Sequence, residues 1–349
     1  MSDVYSLLKK AAVAAESGEL EALATYLDMA GEPSKDSPGL SDYFLSGLAA
    51  RLGRDQHANL YLRAEGTPQI DLFYLMYQHL PFLRAGTLAN DALLQYCVDQ
   101  QEATVLALGI GQGRQELDLV TRAGLKQVTV VGVDVAARSL EAAGRAMSGP
   151  EVPAGTRVDY RQILAASEDM DESVWAMIEH LPRPLLVTAS FALHHMLNHA
   201  GEQDARAALL RRLRALEPAA LALCEADSNH HLVPLRVRLA NAWHHYGTVF
   251  SAIDVTSATS EEKNEMKRFF GREIENVVGA TCETTRYERH EPTRTWLNRL
   301  TACGFAPVPQ PQPPADQLAG FTTIAHPTHL ELAYQQTSVA AVIVAEPAR

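Results

Sequence analysis

The chain has 349 residues, 47% of them hydrophobic, and a formal net charge of −12. That is apolar material for a sizeable core and somewhat more length than one core fills, so one main domain with an attached cap is expected. The negative field repels a phosphate backbone and no apolar run reaches the length of a membrane span, so neither nucleic acid nor membrane is an expected partner.

Residues 1–100 carry helical signals only. "DVYSLLKKAAVAAESG", "ELEALATYLDMAG" and "GLSDYFLSGLAARLG" each combine helical apolar spacing with a terminal glycine. "IDLFYLMYQHLPFL" and "ANDALLQYCV" follow, broken by Pro81 and Gly86. These segments read as a helical cap. From residue 101 to 349 the pattern is that of a core: "TVLALG", "QVTVVGVD", "RVDYRQIL", "PLLVTAS" and "ALALCEAD" are short apolar runs alternating with helical stretches. The alternation predicts an α/β fold with a doubly wound, mostly parallel sheet. A helical insertion, a candidate lid, interrupts it at about residues 233–280, and "FAPVPQ" and "SVAAVIVAE" supply two closing strands. The proline-dense stretch Pro307 to Gln317 reads as an extended connector.

Cys97, Cys224, Cys282 and Cys303 form no CxxC pair, and no signal peptide pattern is present, so a reducing cytoplasm is the expected compartment. Arg206, Arg211, Arg212 and Arg214 cluster at helical spacing and read as a solvated face. The histidine pairs 194–195, 230–231 and 244–245 are adjacent in sequence, and adjacent pairs chelate poorly, so no metal site is expected.

The chemistry begins at "VLALGIGQGRQELDLV". Gly109, Gly111 and Gly113 follow the first core strand. Arg114 stands one place after the loop, so the G-x-G-x-x-G dinucleotide fingerprint is broken, and no phosphate-loop lysine motif is present. The G-x-G-x-G spacing instead resembles the first motif of class I methyltransferases, which hold S-adenosylmethionine and release S-adenosylhomocysteine. Asp134 ends the second strand, where a carboxylate can take ribose hydroxyls. One departure is visible: the acid usual two residues before the first glycine is Ala107 here.

Longer segments extend the likeness. "ALCEADSNHH", "HHYGTVFSAID", "FFGREIENVVG" and "RYERHEPTRTWLNRLTACGFAPV" occur in order, with "FALHHML" and "FYLMYQHLPFLRAGTLANDALLQ" upstream. Together they resemble the GRAS-domain family over about residues 70–308. The resemblance implies a Rossmann-like class I methyltransferase fold under a helical cap. Plant members are mostly transcriptional regulators; bacterial members keep the glycine loop and look like small-molecule methyltransferases. With its glycines intact and without the long variable N-terminal extension, this chain resembles the bacterial branch.

The resemblance and the rule that ligands sit outside the carboxyl ends of parallel strands nominate a site. For the cofactor the candidates are Gly109, Gly111, Gly113, Gln115, Asp134, Ile163, Leu164, Ser190 and Phe191, with Gln115 at the methionine end and Ile163 and Leu164 against adenine. Glu168 or Asp169 could meet the adenine amine or cap the next helix. His194 is the candidate base, favoured over His195 by the GRAS pattern, with Glu225 behind it and Tyr246 within reach. Tyr74, Tyr77, Asn90, Asp227, Asn229 and His230 are candidates for the substrate. The expected activity is methyl transfer to a small molecule. The alternatives are other chemistry on the same cofactor, namely aminocarboxypropyl transfer or cyclisation, and a non-enzymatic ligand-binding regulator.

Overall fold

The computed structural model describes residues 2–34, 38–53, 69–198, 204–313 and 318–349. Five parallel strands form the heart of the sheet: β1 (Glu102–Leu108), β2 (Gln127–Asp134), β3 (Arg157–Leu164), β4 (Leu185–Ser190) and β5 (Ala220–Ala226). The apolar runs of β1, β2, β4 and β5 are continuous because both faces are covered, whereas β3, at the sheet edge, mixes polar and apolar residues and has no fully buried one. In β1, Val105 and Ala107 face one core while Leu106 and Leu108 face the other, as the two-residue period of a strand requires. The strand order is β3-β2-β1-β4-β5-β9-β8-β7, so the winding reverses between β1 and β4.

Beyond β5 the sheet turns antiparallel. The long β9 (Thr337–Pro347) pairs with β5, placing Leu223 beside Ile343, and the short β6 (Phe305–Pro307) also pairs with β9. The hairpin β7 (Phe321–Ala325) and β8 (Leu330–Tyr334) extends the edge and lies outside the strands expected from sequence. Its β7 alternates buried and open positions over only five residues, which gives a short, weak signal. Of the proline-rich stretch, residues 314–317 lie outside the described residues.

Twelve α-helices are described. α1 (Ser2–Ser17), α2 (Leu20–Ala30), α3 (Leu40–Gly53), α4 (Gln69–His79) and α5 (Ala85–Leu93) precede the sheet. α6 (Arg114–Arg122) and α7 (Ala137–Met147) follow β1 and β2. α8 (Glu172–Glu179), α9 (Ala205–Ala215) and α12 (Thr293–Ala302) cover the opposite face, burying Trp175, Leu213 and Trp296. The insertion forms α10 (Leu235–Val255) and α11 (Ser260–Gly279). α11 opens on a capping box between Thr259 and Glu262.

α10 and α11 pack on the N-terminal helices. Tyr5 stacks on Trp243 with ring centroids 4.8 Å apart. α3 and α11 cross closely enough that a Cβ at Gly271 would fall 2.1 Å from the Tyr43 ring. α5 is tied to α6 by Asn90, whose side-chain amide donates to the Gln115 carbonyl and to Asp118, both at 2.8 Å. α4 and α5 therefore stand beside the glycine loop. No helix among the described residues is long and apolar enough to cross a membrane.

Candidate functional site

A cavity of about 640 Å³ opens at the carboxyl ends of β1, β2 and β4, on the side where the winding reverses. That is the expected place for a ligand in a doubly wound sheet. The loop after β1 forms its floor. Gly109, Gly111 and Gly113 all have positive φ, at +71°, +53° and +70°. Such angles favour glycine, and at Gly109 a Cβ would also fall 2.5 Å from that of Ala192. Gly113 does not line the cavity; it caps α6 in the left-handed conformation and packs against Ala143.

Asp134 lines the cavity beside this loop. It accepts from the Gly111 amide at 2.9 Å and the Ala136 amide at 2.8 Å. Burial raises its pKa, opposed by those backbone donors. Gln115 also reaches the cavity and accepts from the Ser190 hydroxyl at 2.7 Å. Ser190 and Phe191 form the wall after β4, with Phe191 in the left-handed region at φ +53°. Tyr74 and Tyr77 close the cavity from α4, and the Arg114 guanidinium lies 5.0 Å over the Tyr74 ring.

Glu116, a residue the sequence reading did not single out, also lines the cavity. It is 3% exposed and accepts from the Thr188 hydroxyl at 2.8 Å. Burial carries its pKa up to about 7, against the lowering effect of that hydrogen bond. The signal available in sequence was an acid three residues after Gly113, in a chain where Ala107 replaces the usual one.

Several nominated residues sit elsewhere. Ile163 and Leu164 do not reach the cavity: Ile163 packs on the core of the opposite face and Leu164 is 62% exposed. The turn that follows them, Ala165 to Asp169, forms that wall instead, so Glu168 and Asp169 do face the cavity. Asn90 is wholly buried between α5 and α6. Asp227 accepts from the Thr293 amide at 2.9 Å, and the Asn229 carbonyl accepts from Asn241 at 2.8 Å. His230 is fully buried and bonded to Ser228 at 2.9 Å. Tyr246 is fully buried and donates to Glu273 at 3.0 Å. None of Asn90, Asp227, Asn229, His230 and Tyr246 lines the cavity; the side chains of Asn90, Asp227 and Tyr246 instead tie neighbouring segments together, and His230 is buried away from it.

The histidine pair is also rearranged. His195 lines the cavity; His194 does not, and is 3% exposed. His194 Nδ1 lies 2.6 Å from Glu225 Oε2, while Glu225 Oε1 accepts from the Leu193 amide at 2.8 Å. The other His194 nitrogen is 3.3 Å from Glu288. Burial alone would lower the His194 pKa, but Glu225 and Glu288 overcome it and carry it up to about 9. For His195, burial and the neighbouring His194 push the pKa down to about 3, so its imidazole is neutral at pH 7. Arg206, read from sequence as part of a solvated face, is 3% exposed. It donates to Glu291 and to the Leu193 carbonyl, which compensates the buried charge.

A five-stranded parallel core wound in the order 3-2-1-4-5, with a glycine loop after the first strand and an acid ending the second, defines a Rossmann-like fold of the class I methyltransferase type. The SeMet-substituted CurJ carbon methyltransferase has a similar fold, with a TM-score of 0.50 at 13% identity, covering 100% of this chain and 92% of that one. The chain belongs to the GRAS domain family, whose model matches residues 5–326. It resembles SCL7 of Oryza sativa with a TM-score of 0.73 at 22% identity, over 93% of this chain and 94% of that one. Scarecrow-like protein 5 of Arabidopsis thaliana is 26% identical over 339 residues, covering 88% of this chain and 55% of its own length. The chain thus spans about half the length of that relative. These relatives are plant proteins, which shows the family and not its bacterial branch.

Proposed function

We propose that this chain binds S-adenosylmethionine and transfers its methyl group to a small molecule, in the manner expected of the bacterial GRAS branch. The observation that carries the reading is convergence: Gly109, Gly111, Asp134 and Glu116 all line one cavity of about 640 Å³, a volume suited to a cofactor-sized ligand. The residues fit the group. A Cβ at Gly109 would clash, so the loop is committed to a close backbone path. Asp134 keeps lone pairs for a ribose, and Glu116 supplies a carboxylate for an amino group in place of the acid lost at Ala107. Bound there, the cofactor would supply a methyl group made electrophilic by the sulfonium.

The chain's own contribution is alignment and exclusion of water. Phe73, Tyr74 and Tyr77 close the cavity from α4 and offer aromatic faces to a cation. His195, neutral and at the cavity wall, is placed to accept a hydrogen bond from an O–H or N–H acceptor and so orient it; with a pKa of about 3 it holds no proton at neutral pH, and the acceptor's proton passes on to solvent. The cavity-facing place read from sequence for His194 therefore passes to its neighbour, and His194 with Glu225 stands behind it.

Calorimetry tests the reading. S-adenosylhomocysteine should bind, and Asp134→Ala should weaken it by about 1–3 kcal/mol through loss of charge-assisted hydrogen bonds. Binding of NADH with none of S-adenosylhomocysteine would overturn the cofactor. With labelled cofactor and candidate acceptors, S-adenosylhomocysteine as product supports methyl transfer, whereas methylthioadenosine points to use of the aminocarboxypropyl arm. Tight binding with no turnover on any acceptor returns the chain to the regulatory alternative.

A further inference from the structure

Behind the cavity lies a second, smaller void of about 30 Å³, walled on the shared side by Phe73, Leu83 and Phe191. Its polar lining is unusual: His194, His245, Glu273 and His290 all face it. A space of that size accommodates one ion or a water or two.

Of the nearby carboxylates Glu273 lines the void, while Glu225 and Glu288 lie against His194 behind its wall, and the three are not equally satisfied. Glu225 is fully engaged, with two backbone amides and His194 Nδ1 on its oxygens. Glu273 receives one hydrogen bond, from Tyr246 to Oε2. Glu288 is fully buried, and neither of its carboxylate oxygens has a partner at hydrogen-bond geometry. It is instead ringed by imidazoles: His194 Nε2 at 3.3 Å, His290 Nε2 at 3.5 Å and His195 Nδ1 at 3.6 Å. The Nδ1 atom of His290, also buried, has no partner either. Buried carboxylates are ordinarily paired, hydrogen-bonded or bound to a metal.

One ligand atom from each of Glu273, Glu288 and His290 can be chosen so that all three lie within 4.8 Å of one another. A second such triad, His194, His195 and Glu288, shares the same carboxylate. Glu273 comes from the helix α11 and Glu288 and His290 from the loop before α12, while His194 and His195 stand in the turn after β4. Convergence from distant segments is what a chelating site needs, and it is invisible in the adjacent histidine pairs of the sequence.

We propose that Glu273, Glu288 and His290 form a binding site for one divalent transition-metal ion, with His194 beside it. Two carboxylates and an imidazole without thiolate suit an ion of the zinc, manganese or iron(II) class. Donors on a tetrahedral ion at about 2.1 Å stand about 3.4 Å apart; the His290 Nε2 and Glu288 Oε2 atoms are already 3.5 Å apart, and a bound ion would draw the rest of the triad in from within 4.8 Å. The ion offsets the charge of two buried glutamates. It also fixes Glu288 one side-chain layer behind the cavity, where His195 stands. This site does not depend on the identity of the cofactor.

The test uses the full, tag-free chain after chelation. Titration with Co2+, followed by its visible absorption bands, should saturate at one ion per chain, and Zn2+ or Mn2+ should displace it. Glu288→Gln and Glu273→Gln should each weaken binding by about 100-fold or more. Tyr246→Phe should retain it, because the phenol occupies only one Glu273 oxygen. If a glutamate variant does not fold, the wild-type chain still decides: Zn2+ should raise its melting temperature and saturate at one equivalent. Absence of stoichiometric binding by the wild-type chain, or affinity unchanged in both glutamate variants, overturns the site.

Discussion

Glu116 gives the cofactor reading its sharpest test, because it turns a missing residue into a measurable proton. Burial sets its pKa at about 7 in the free chain, so the side chain is largely protonated below neutrality. An ammonium group placed against it favours the carboxylate. Binding of S-adenosylhomocysteine, which carries that group, should therefore expel the proton. From a starting pKa of about 7, release is about 0.9 proton at pH 6, about 0.5 at pH 7 and about 0.1 at pH 8. Calorimetric titrations in two buffers of different ionisation enthalpy read this number directly. Asp134 also has a raised pKa, so the essential control is Glu116→Gln, which should abolish most of the release at pH 6 and weaken binding. His195 is already neutral at that pH and contributes no release. Heats that do not depend on buffer at pH 6, or a release that survives in Glu116→Gln, would refute the assignment.

Two further outcomes follow from the histidines. His195→Ala should lower the single-turnover rate by up to about 10²-fold through lost orientation of the acceptor, with little change in affinity for S-adenosylhomocysteine, whereas His194→Ala should cost about 3–5 kcal/mol of stability by stranding the buried Glu225 charge. Equal loss of rate and of melting temperature in both variants would refute the division of labour. The pKa of His194 is raised from 6.5 to about 9, so the stability it contributes is complete below pH 6.5 and is lost progressively as pH rises to about 9. In the chelated, metal-free chain the melting temperature should fall over that interval, and His194→Gln should flatten the slope; a slope identical in the variant would show that another group controls it.

The parts of this molecule that were legible in sequence are those whose cause is local. β1, β2, β4 and β5 announce themselves because a parallel strand buried on both faces is an unbroken apolar run. The glycine loop and Asp134 are readable for a similar reason: one turn and one strand end carry the whole signal. What sequence cannot show is which polar residue a distant segment makes buried. Glu116 looks like an ordinary acid in the first turn of a helix, yet its hydrogen-bond partner Thr188 lies 72 residues away. The histidine pair makes the same point more sharply. On a regular helix two adjacent side chains diverge by about 100°, so one faces inward and one outward. Here both sit in a single short turn after β4, their rings 3.8 Å apart, and Glu225 fixes the choice by taking the Leu193 amide and His194 Nδ1 together. With His194 held against the end of β5, His195 is the one left at the cavity. The acid that decides which histidine meets a ligand is thus 31 residues downstream, on a strand the sequence placed correctly but could not orient.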